Sequence, residues 1–413
     1  MNQKVNQIID KLKTKDEDIV LGRKHQPDFW ILWTSAVLII IGLIIIYTIS
    51  PALSETSHVS NNYFFYKQFI AIILGVITFY ITYKVPLNTW KMYYKPLLIL
   101  AGLATLIALA MPVNPAYPAH RWVRLGGLSF QSIELVNFAG LIWLSRFLAL
   151  RVKNHEINSF KKTFKPLLLV LLAAGVVVVG VQSDLGSGGV IVAIVGTMAY
   201  IAGLPLKRIG IVALVVLIGL ILAIFSTPYR RARLETYLHP QSNCQGSGYQ
   251  ACQALISVGS GGLVGQGLAN SVQAYGYLPE SDNDSIFAIY AEKFGFIGST
   301  VLLIIFAVLF TRMKNIAENL SDDFSKFLVI GILVWISVQA LINIGAMEGV
   351  LPLKGITLPF ISYGGTSMVF TTAAIGLVFQ ASQYTSAQLR DSAGSKESIV
   401  SKNYSRRLGR NNI

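Results

Sequence analysis

The sequence has few charged residues for its length. Only 13% of its 413 residues are Asp, Glu, Lys or Arg, whereas soluble globular proteins carry roughly 25%. Hydrophobic residues, in contrast, make up 53% of the chain. This balance excludes a large soluble catalytic domain and indicates an integral membrane protein.

Cysteine is almost absent. The chain contains only Cys244 and Cys252, separated by seven residues in a polar loop. Two cysteines exclude a structural zinc site with four Cys ligands, and there is no Cys-x-x-Cys motif. If the loop lies outside the cytoplasm, the hypothesis is a disulfide that closes a small ring. Two free thiols are the alternative, and the spacing does not decide between them.

A phosphate-binding loop is also missing. The glycine-rich segment 246–271 contains no Gly-Lys-Ser/Thr motif, and no strand leads into it. We therefore expect no nucleotide cofactor and predict that this segment lies on the membrane surface. The net charge of +14 is typical of nucleic-acid binding only where basic residues form a patch. Here they flank apolar runs, so we expect no nucleic-acid partner.

Ten apolar runs dominate the chain and predict an all-α, polytopic membrane protein with about ten transmembrane helices. The first run has 21 residues, longer than a signal-peptide core of about 7–15 residues, so we predict a retained span. We divide the chain into an N-terminal segment 1–28, a membrane domain 29–385 and a tail 386–413. The runs are Phe29–Ile49, Phe69–Tyr83, Leu97–Met111, Ile133–Leu150, Leu167–Val181, Leu185–Gly203, Ile209–Phe225, Ile286–Phe310, Phe327–Ala346 and Ser367–Ala381.

The basic residues predict the orientation of these spans. Of the 34 Lys and Arg residues, 26 fall on the side of the N-terminus and 8 on the other side. The positive-inside rule then places both termini in the cytoplasm. The connection 226–285, between spans seven and eight, lies outside and is far longer than the usual 4–6 residues or so, which favours a functional loop. The tail is polar and basic, and we predict that it is disordered on the inner surface.

Ionisable residues collect towards the outer ends of the spans. Because charged groups near hydrocarbon are costly, they are candidates for function. An enzyme at the outer leaflet needs them there, whereas a transporter needs polar groups near the midplane. Outward arginines also oppose the positive-inside trend, which suggests an anionic partner such as phosphate; pairing with a carboxylate or lipid headgroups is the alternative. The set is Arg121, Arg124, Glu134, Asp184, Arg230, Arg231, Arg233, Glu280, Asp282, Asp284, Glu292 and Lys354.

Each carboxylate also has a simpler, structural interpretation. Glu134 and Asn137 share one helical face, so a hydrogen bond between helices explains them. Asp184 suits a turn that caps the sixth span. Asp284, after Glu280 and Asp282, precedes the eighth span. It is either an N-cap or a general base or cation ligand at the water interface, with neighbours that raise its proton affinity.

Four segments resemble a known family, the SEDS proteins of the FtsW/RodA type, over about residues 30–385. They contain HRWVRLGGLSFQSIEL from His120, QSDLG from Gln182, GSGYQ to GYLPESDNDSIFAIYAEKFG between Gly246 and Gly295, and LPLKGITLPFISYGGTS from Leu351. In this order and at these positions the motifs are highly specific. The forms GLANS and KGITLPFISYGG are closer to the division-associated FtsW branch than to RodA.

The resemblance implies an inverting peptidoglycan glycosyltransferase that polymerises lipid II at the outer face of the bacterial plasma membrane. The family's essential aspartate falls on Asp284, which deprotonates the acceptor hydroxyl or holds Mg²⁺ or Mn²⁺. The implied partners are a class B penicillin-binding protein and other divisome membrane proteins. A lipid II flippase and a non-catalytic scaffold are the alternatives. The implied substrate-binding residues are Arg121, Trp122, Arg124, Glu134, Asp184, Glu280, Lys354 and Ser362.

Two segments depart from the family pattern. The usual Phe-Gln-Pro-Ser-Glu-x-x-Lys is FQSIELVN at 130–137, so Asn137 cannot take the role of that lysine. The usual His-Thr-Asp-Phe is DNDS at 282–285, which adds the charge of Asp282 beside Asp284. We therefore predict a shifted pH optimum or a stronger cation requirement.

Overall fold

The computed structural model describes residues 24–111, 122–125, 128–182, 184–225, 228–239 and 244–385. In these ranges the regular structure is helical, apart from one antiparallel hairpin of β1 (Trp122–Leu125) and β2 (Leu128–Gln131) and an isolated bridge. The helices are α1 Phe29–Thr56, α2 Tyr63–Lys84, α3 Leu87–Met92, α4 Tyr94–Ala110, α5 Ser132–Lys153, α6 Phe160–Val181, α7 Leu185–Ile201, α8 Leu206–Phe225, α9 Pro228–Leu238, α10 Tyr249–Ser260, α11 Ile286–Asn319, α12 Asp323–Met347 and α13 Gly365–Ala381.

Each of the ten predicted apolar runs corresponds to one of these helices, which confirms the fold class. Seven of the described helices are long and apolar enough to cross a membrane, and α4 and α7 are shorter apolar helices. The remaining run is α8, with 20 residues. The predicted ends are less accurate: α1 continues to Thr56, and α2 begins at Tyr63. A helix continues through polar residues at the interface, whereas an apolar run marks only the part inside hydrocarbon.

Three helices form the centre of the bundle. In α5, α12 and α13, 67%, 61% and 83% of the apolar stretch is buried in the protein, compared with 17% in α2. Helices that are apolar on all faces differ in buried fraction when some are surrounded by protein and others face lipid. The central helices are therefore the ones that position any polar site inside the bundle.

Small residues let α13 pack closely against α2. A Cβ atom on Gly376 would lie 2.1 Å from Thr82 Oγ1 and 2.6 Å from the carbonyl oxygen of Phe79. One on Gly75 would lie 2.7 Å from Thr372 Oγ1. Close backbone approach at small residues is the usual way in which membrane helices associate.

The two ends of the described chain meet at one end of the bundle. The backbone N–H of His25 donates to the carbonyl of Gln383 at 3.0 Å, and that of Asp28 donates to Ser382 Oγ at 3.0 Å. Asp28 also caps α1 by accepting from Trp30 N at 2.9 Å. Both termini of the membrane domain thus lie on the same side of the bundle, as an even number of spans requires.

The helix α11 is broken at Gly295, which has the left-handed φ of 65°. The glycine-rich segment after α10 fills the break: Gln266 N donates to the carbonyl of Glu292 at 2.9 Å, and Phe296 N donates to that of Gly262 at 2.8 Å. A Cβ atom on Gly265 would lie 2.2 Å from the carbonyl oxygen of Lys293. This segment packs into a break in a membrane helix. The prediction that it lies on the membrane surface therefore describes only part of its position. The loop satisfies backbone groups that the break leaves free.

Candidate active site

The polar candidates gather at the end of the bundle opposite the chain ends. The helices α5, α7, α11 and α13 begin there, and α12 ends there. Contacts between these ends hold them together: Gln182 Nε2 donates to Ser132 Oγ at 3.2 Å, and Gln131 N donates to Thr366 Oγ1 at 3.2 Å. Several helix N-termini therefore face one region, and each carries a partial positive charge.

Asp284 lies in a tight turn immediately before α11. The N–H groups of Asn283 and Ser285 both donate to the carbonyl of Glu280 at 3.0 Å, and Glu280 adopts a left-handed φ of 52°. Asp284 is 7% exposed. The N-cap residue of α11 is Ser285, so Asp284 precedes the cap position that the simpler interpretation gave it.

Three consecutive carbonyls of this turn are held from a distant part of the chain. Tyr363 N donates to the carbonyl of Asp282 at 2.8 Å, and Ser362 Oγ donates to that of Asn283 at 2.6 Å. Asn343 Nδ2, near the end of α12, donates to the carbonyl of Asp284 at 2.7 Å. The backbone that carries the Asp284 side chain is thus fixed on three successive residues.

Gln250, on the first turn of α10, contacts the Asp284 side chain itself. Its Nε2 atom is 3.4 Å from Asp284 Oδ1 and donates to Ser285 Oγ at 3.1 Å. It also lines a cavity of about 60 Å³ between α9, α10 and the segment after α12, together with Tyr237 and Leu353. The Asp284 carboxylate therefore lies one side chain away from an open cavity.

Asp282 and Glu280 add charge to the same turn. Burial, with the nearby charge of Glu280 as a smaller cause, raises the pKa of Asp282 to about 6. Burial, with the Asp282 charge as a smaller cause, raises the pKa of Tyr363 to about 12. Glu280 itself is exposed and accepts from Asn283 Nδ2 at 3.1 Å. Asp282 therefore changes its charge within the range of pH in which enzymes usually work.

Glu134 and Asn137 face the interior, 2% and 4% exposed. Glu134 has Ser367 and Gln339 as polar neighbours, with Asp184 beyond them. Among the described residues, one side-chain oxygen on each of four buried residues of α5 and α12 has no hydrogen-bond partner: Glu134, Asn137, Gln339 and Asn343. Buried polar atoms of this kind generally bind water or a polar ligand. The cluster is larger than the single contact between helices that the sequence suggested.

Asp184 is the N-cap of α7, accepting from Ser187 N at 3.0 Å and from Ser187 Oγ at 2.8 Å. Lys354 lies beside the same helix start, because a Cβ atom on Gly186 would be 3.1 Å from Lys354 Cβ. The interpretation of Asp184 as a cap accounts for its two hydrogen bonds with Ser187, and the residue is 1% exposed. Whether it also binds substrate stays a prediction.

The other predicted substrate-binding residues are placed as follows. Trp122 is in β1, paired with Gln131 of β2. Arg121 lies outside the described residues, as does the side chain of Arg124, although Arg124 belongs to β1 and pairs with Ser129. The hydroxyl of Ser362 accepts from Leu358 N at 2.7 Å while it donates to Asn283. These contacts make Ser362 part of the frame around Asp284.

Sequence reasoning missed Gln250 and Asn343 as site residues. Gln250 is the last residue of the GSGYQ segment, and its amide is the part that reaches Asp284. Asn343 interrupts the apolar run of α12. Because polar groups inside a span need a partner, this interruption was the sequence feature that could have marked Asn343 as a site residue. Their partners are far away in sequence, so neither contact is visible from spacing.

The structure joins Cys244 and Cys252 by a disulfide, with Cα atoms 5.6 Å apart.

The predicted divalent cation would need a group of suitable ligands. In the part of the chain that the structure describes, no three His, Cys, Asp or Glu side chains come together in a way that would hold a metal ion. Hard cations in proteins usually have several oxygen ligands. These residues do not form a cage for Mg²⁺ or Mn²⁺, so we derive no step through a metal ion.

Comparisons with known proteins all point to one family. The chain matches the model of the FtsW, RodA and SpoVE family, described as cell cycle proteins, over residues 29–387. Stage V sporulation protein E of Bacillus subtilis is 35% identical over 364 residues, covering 88% of this chain and 99% of that protein. The probable peptidoglycan glycosyltransferase FtsW of Coxiella burnetii is 36% identical over 358 residues, covering 86% and 95%.

Two solved structures share the fold. One is a chain in a study of how a peptidoglycan synthase complex coordinates polymerization and crosslinking, with a TM-score of 0.69, 23% identity, and coverage of 86% of this chain and 97% of that chain. The other is the rod shape determining protein RodA of Thermus thermophilus, with a TM-score of 0.61, 22% identity, and coverage of 87% and 98%. Both likenesses concern the architecture of the helices.

Proposed function

Because this chain belongs to the FtsW/RodA/SpoVE family of multi-pass membrane proteins, we propose that it is a peptidoglycan glycosyltransferase that polymerises lipid II. Relatives that are about one third identical over most of their length are named for that activity. The active end of the bundle is then the one opposite the chain ends, and it faces the outside. The lipid tail of the substrate stays in the bilayer, which explains why the enzyme is embedded there.

We assign the role of general base to Asp284. Its carboxylate takes the proton from the acceptor sugar hydroxyl, the hydroxyl oxygen attacks the donor's anomeric carbon, and the bond to the lipid pyrophosphate breaks. A single displacement inverts the anomeric carbon. The observation that carries this assignment is the fixed backbone of residues 282–284, each of whose carbonyls accepts a hydrogen bond from residue 343, 362 or 363. A base must be held in a defined place to be effective.

Positive charge at the leaving group is the second requirement, because two phosphates gain charge as the bond breaks. Lys354 lies beside the start of α7, within the region where several helices begin. Arg124 belongs to β1, whose partner strand β2 is hydrogen-bonded to α13 through Gln131 and Thr366. Arg121 lies three residues before Arg124 in the sequence. We propose that these three side chains and the helix N-termini stabilise the pyrophosphate.

We further propose that the termini are cytoplasmic and that the chain works in cell division in the bacterial plasma membrane. Its partners are then a class B penicillin-binding protein, which crosslinks the strands, and other divisome membrane proteins. A solved structure with this fold comes from a complex that couples polymerization to crosslinking, and this supports the proposal. The large outer loop 226–285 is the part we expect to contact the transpeptidase.

The test compares the wild type with Asp284→Asn for polymerisation of purified lipid II in the presence of the transpeptidase. We expect a loss of at least about 100-fold in kcat, because general bases contribute roughly 10²–10⁴-fold. Asp323→Asn, at the opposite end of the bundle, is the matched control and keeps wild-type activity. If Asp284→Asn polymerises at the wild-type rate, the glycosyltransferase mechanism is wrong. If the wild type itself does not polymerise lipid II, transport of lipid II by the wild type and by Asp284→Asn alike favours a flippase, and normal division with neither activity favours a scaffold.

A further inference from the structure

Gln250 stands apart from the other residues around Asp284. Asn343, Ser362 and Tyr363 bind the backbone of the turn, whereas the amide of Gln250 is directed at the carboxylate of Asp284 and the hydroxyl of Ser285. A hydrogen bond that a carboxylate accepts favours its charged form and orients its oxygens. Gln250 therefore has the contacts to set both the direction and the proton affinity of the proposed base.

The position of Gln250 depends on how the first turn of α10 is held. This turn follows Gly246, Ser247 and Gly248, and its N-cap residue is Gly248, which has no side chain to cap the helix. The cap therefore gives this turn no side-chain hydrogen bond, and its backbone bonds run from Tyr249 N to the carbonyl of Gly246 and from Cys252 N to that of Gly248. At its other end α10 is held to α11 by Ser257 Oγ, which donates to the carbonyl of Ala288 at 3.0 Å.

The disulfide adds a covalent restraint to this first turn. Cys252 lies two residues after Gln250, is 5% exposed, and is bonded to Cys244 on the other side of the glycine segment. The bond closes a ring that contains Gln250 itself. A crosslink limits the conformations available to the closed segment, so it restricts the movement of the amide away from Asp284.

We propose that Gln250 is a positioning residue for Asp284, and that the Cys244–Cys252 disulfide keeps it in place, so that activity depends on the oxidised state of the loop. This inference rests on the proposed role of Asp284 as the base. Reduction by a dithiol transfers two electrons and two protons to the disulfide, breaks the S–S bond and leaves two thiols. The first turn of α10 then frays while the rest of the helix stays on α11.

The first experiment is the pH profile of lipid II polymerisation by Gln250→Met. Methionine has a similar length but no donor, so we expect kcat to fall about tenfold with little change in KM, as for the loss of one hydrogen bond to a charged group. The acid limb of the profile moves to higher pH, because the carboxylate loses a donor that favours its charged form. Gln266→Met, which removes an exposed amide of the same loop, keeps the wild-type profile.

The second experiment compares the oxidised wild type, the wild type reduced with dithiothreitol, Cys244→Ser and Cys252→Ser. We expect reduction to lower the wild-type rate to that of the serine variants, to move the acid limb in the same direction as Gln250→Met, and to leave the variants unchanged. Amide hydrogen exchange at residues 249–252 increases in the three altered forms, while exchange in α11 does not.

The outcomes separate this inference from the proposed function. If Asp284→Asn is inactive but Gln250→Met has the wild-type pH profile, the positioning role is wrong and the base remains. If Gln250→Met is altered but reduction changes neither rate nor profile, the role of the disulfide is wrong. Full activity in Asp284→Asn contradicts both proposals together.

Discussion

At the scale of single residues, the turn before α11 places two aspartates with different surroundings close in sequence. Asp284 is fixed through its carbonyl and contacted by Gln250 through its carboxylate. Asp282 is partly buried beside Glu280, and burial raises its pKa to about 6 from an ordinary value of 3.8. Hydrogen bonds therefore hold Asp284 in place, whereas burial mainly sets the proton affinity of Asp282.

We predict that Asp282→Asn moves the acid limb of the polymerisation profile to lower pH. Above about pH 6 the Asp282 carboxyl is charged. Asp282 is two residues from Asp284 in the same turn, so we expect its negative charge to make loss of the Asp284 proton harder. The asparagine removes that charge, so Asp284 ionises at lower pH, which is opposite in direction to the change expected for Gln250→Met. The measurement is the pH profile of kcat/KM across the pKa of about 6 of Asp282. An unchanged or upward-shifted limb contradicts this coupling.

The same residue affects stability with a defined sign. Because its pKa is raised on folding, the folded state binds the proton more tightly than the unfolded state. The stability that this proton contributes is fully present below the ordinary pKa and is lost as pH rises to about 6. We expect the thermal midpoint of the wild type in detergent to fall over that range more steeply than that of Asp282→Asn. Glu318→Gln, an exposed glutamate at the other end of α11, is the control and follows the wild type.

At the scale of secondary structure elements, close contacts between backbones decide how the helices fit. The pair α2 and α13 meets at Gly75 and Gly376, and the break in α11 receives the loop around Gly265. A Cβ atom added at Gly376 or Gly265 would meet a backbone carbonyl oxygen of a neighbouring helix. One added at Gly75 would meet a threonine hydroxyl. Such positions tolerate little added volume because packed interiors leave no free space.

We predict that Gly376→Ala destabilises the protein by about 1–3 kcal/mol, the usual cost of overpacking. The new Cβ atom meets the carbonyl oxygen of Phe79, which cannot move without shifting α2. The measurement is thermal unfolding of the purified protein in detergent. The matched control is Gly196→Ala in α7, where no atom of the described residues lies within 4 Å of the new atom. We expect the control to be neutral or more stable, and equal midpoints for the two variants contradict the close packing of α2 and α13.

At the scale of the whole molecule, the chain ends and the candidate active site occupy opposite ends of the bundle. His25 and Asp28 contact Ser382 and Gln383 at one end, and the turn containing Asp284 is at the other. The connection between α11 and α12 joins the first group through the bridge of Leu320 to Thr385. In the proposed topology, the membrane lies between these two ends and separates the site from residues 25–28 and 382–385.

We predict that Glu55→Cys is labelled from outside the cell by a membrane-impermeant maleimide, and that Glu318→Cys is labelled only after permeabilisation. Both positions are exposed glutamates, Glu55 near the end of α1 and Glu318 near the end of α11. Basic residues favour the cytoplasmic side in a ratio of 26 to 8, so the Glu318 side is expected inside. The reverse labelling pattern contradicts the orientation and places the active end in the cytoplasm.

The sequence by itself determined the class of the protein, the number of apolar helices and the segment that contains the candidate base. Hydrocarbon accepts only apolar, internally hydrogen-bonded segments, so a run of apolar residues specifies a membrane helix wherever it occurs. Asp284 stands out for the same reason: a carboxylate beside such a run is expensive, and its motif is continuous in the chain. The tail 386–413 and Arg121 lie outside the described residues, and their predicted roles stay predictions.

Only the tertiary structure decided how Asp284 is held. Its turn is bound by Asn343 and by Ser362 and Tyr363, 59 or more residues away, and its carboxylate by Gln250, 34 residues before it. The break at Gly295 and the polar cluster around Glu134 have the same origin. Hydrogen bonds and close backbone contacts act over a few ångströms between atoms that have no periodic relation in sequence. They exist only after the apolar helices have packed and brought their ends together.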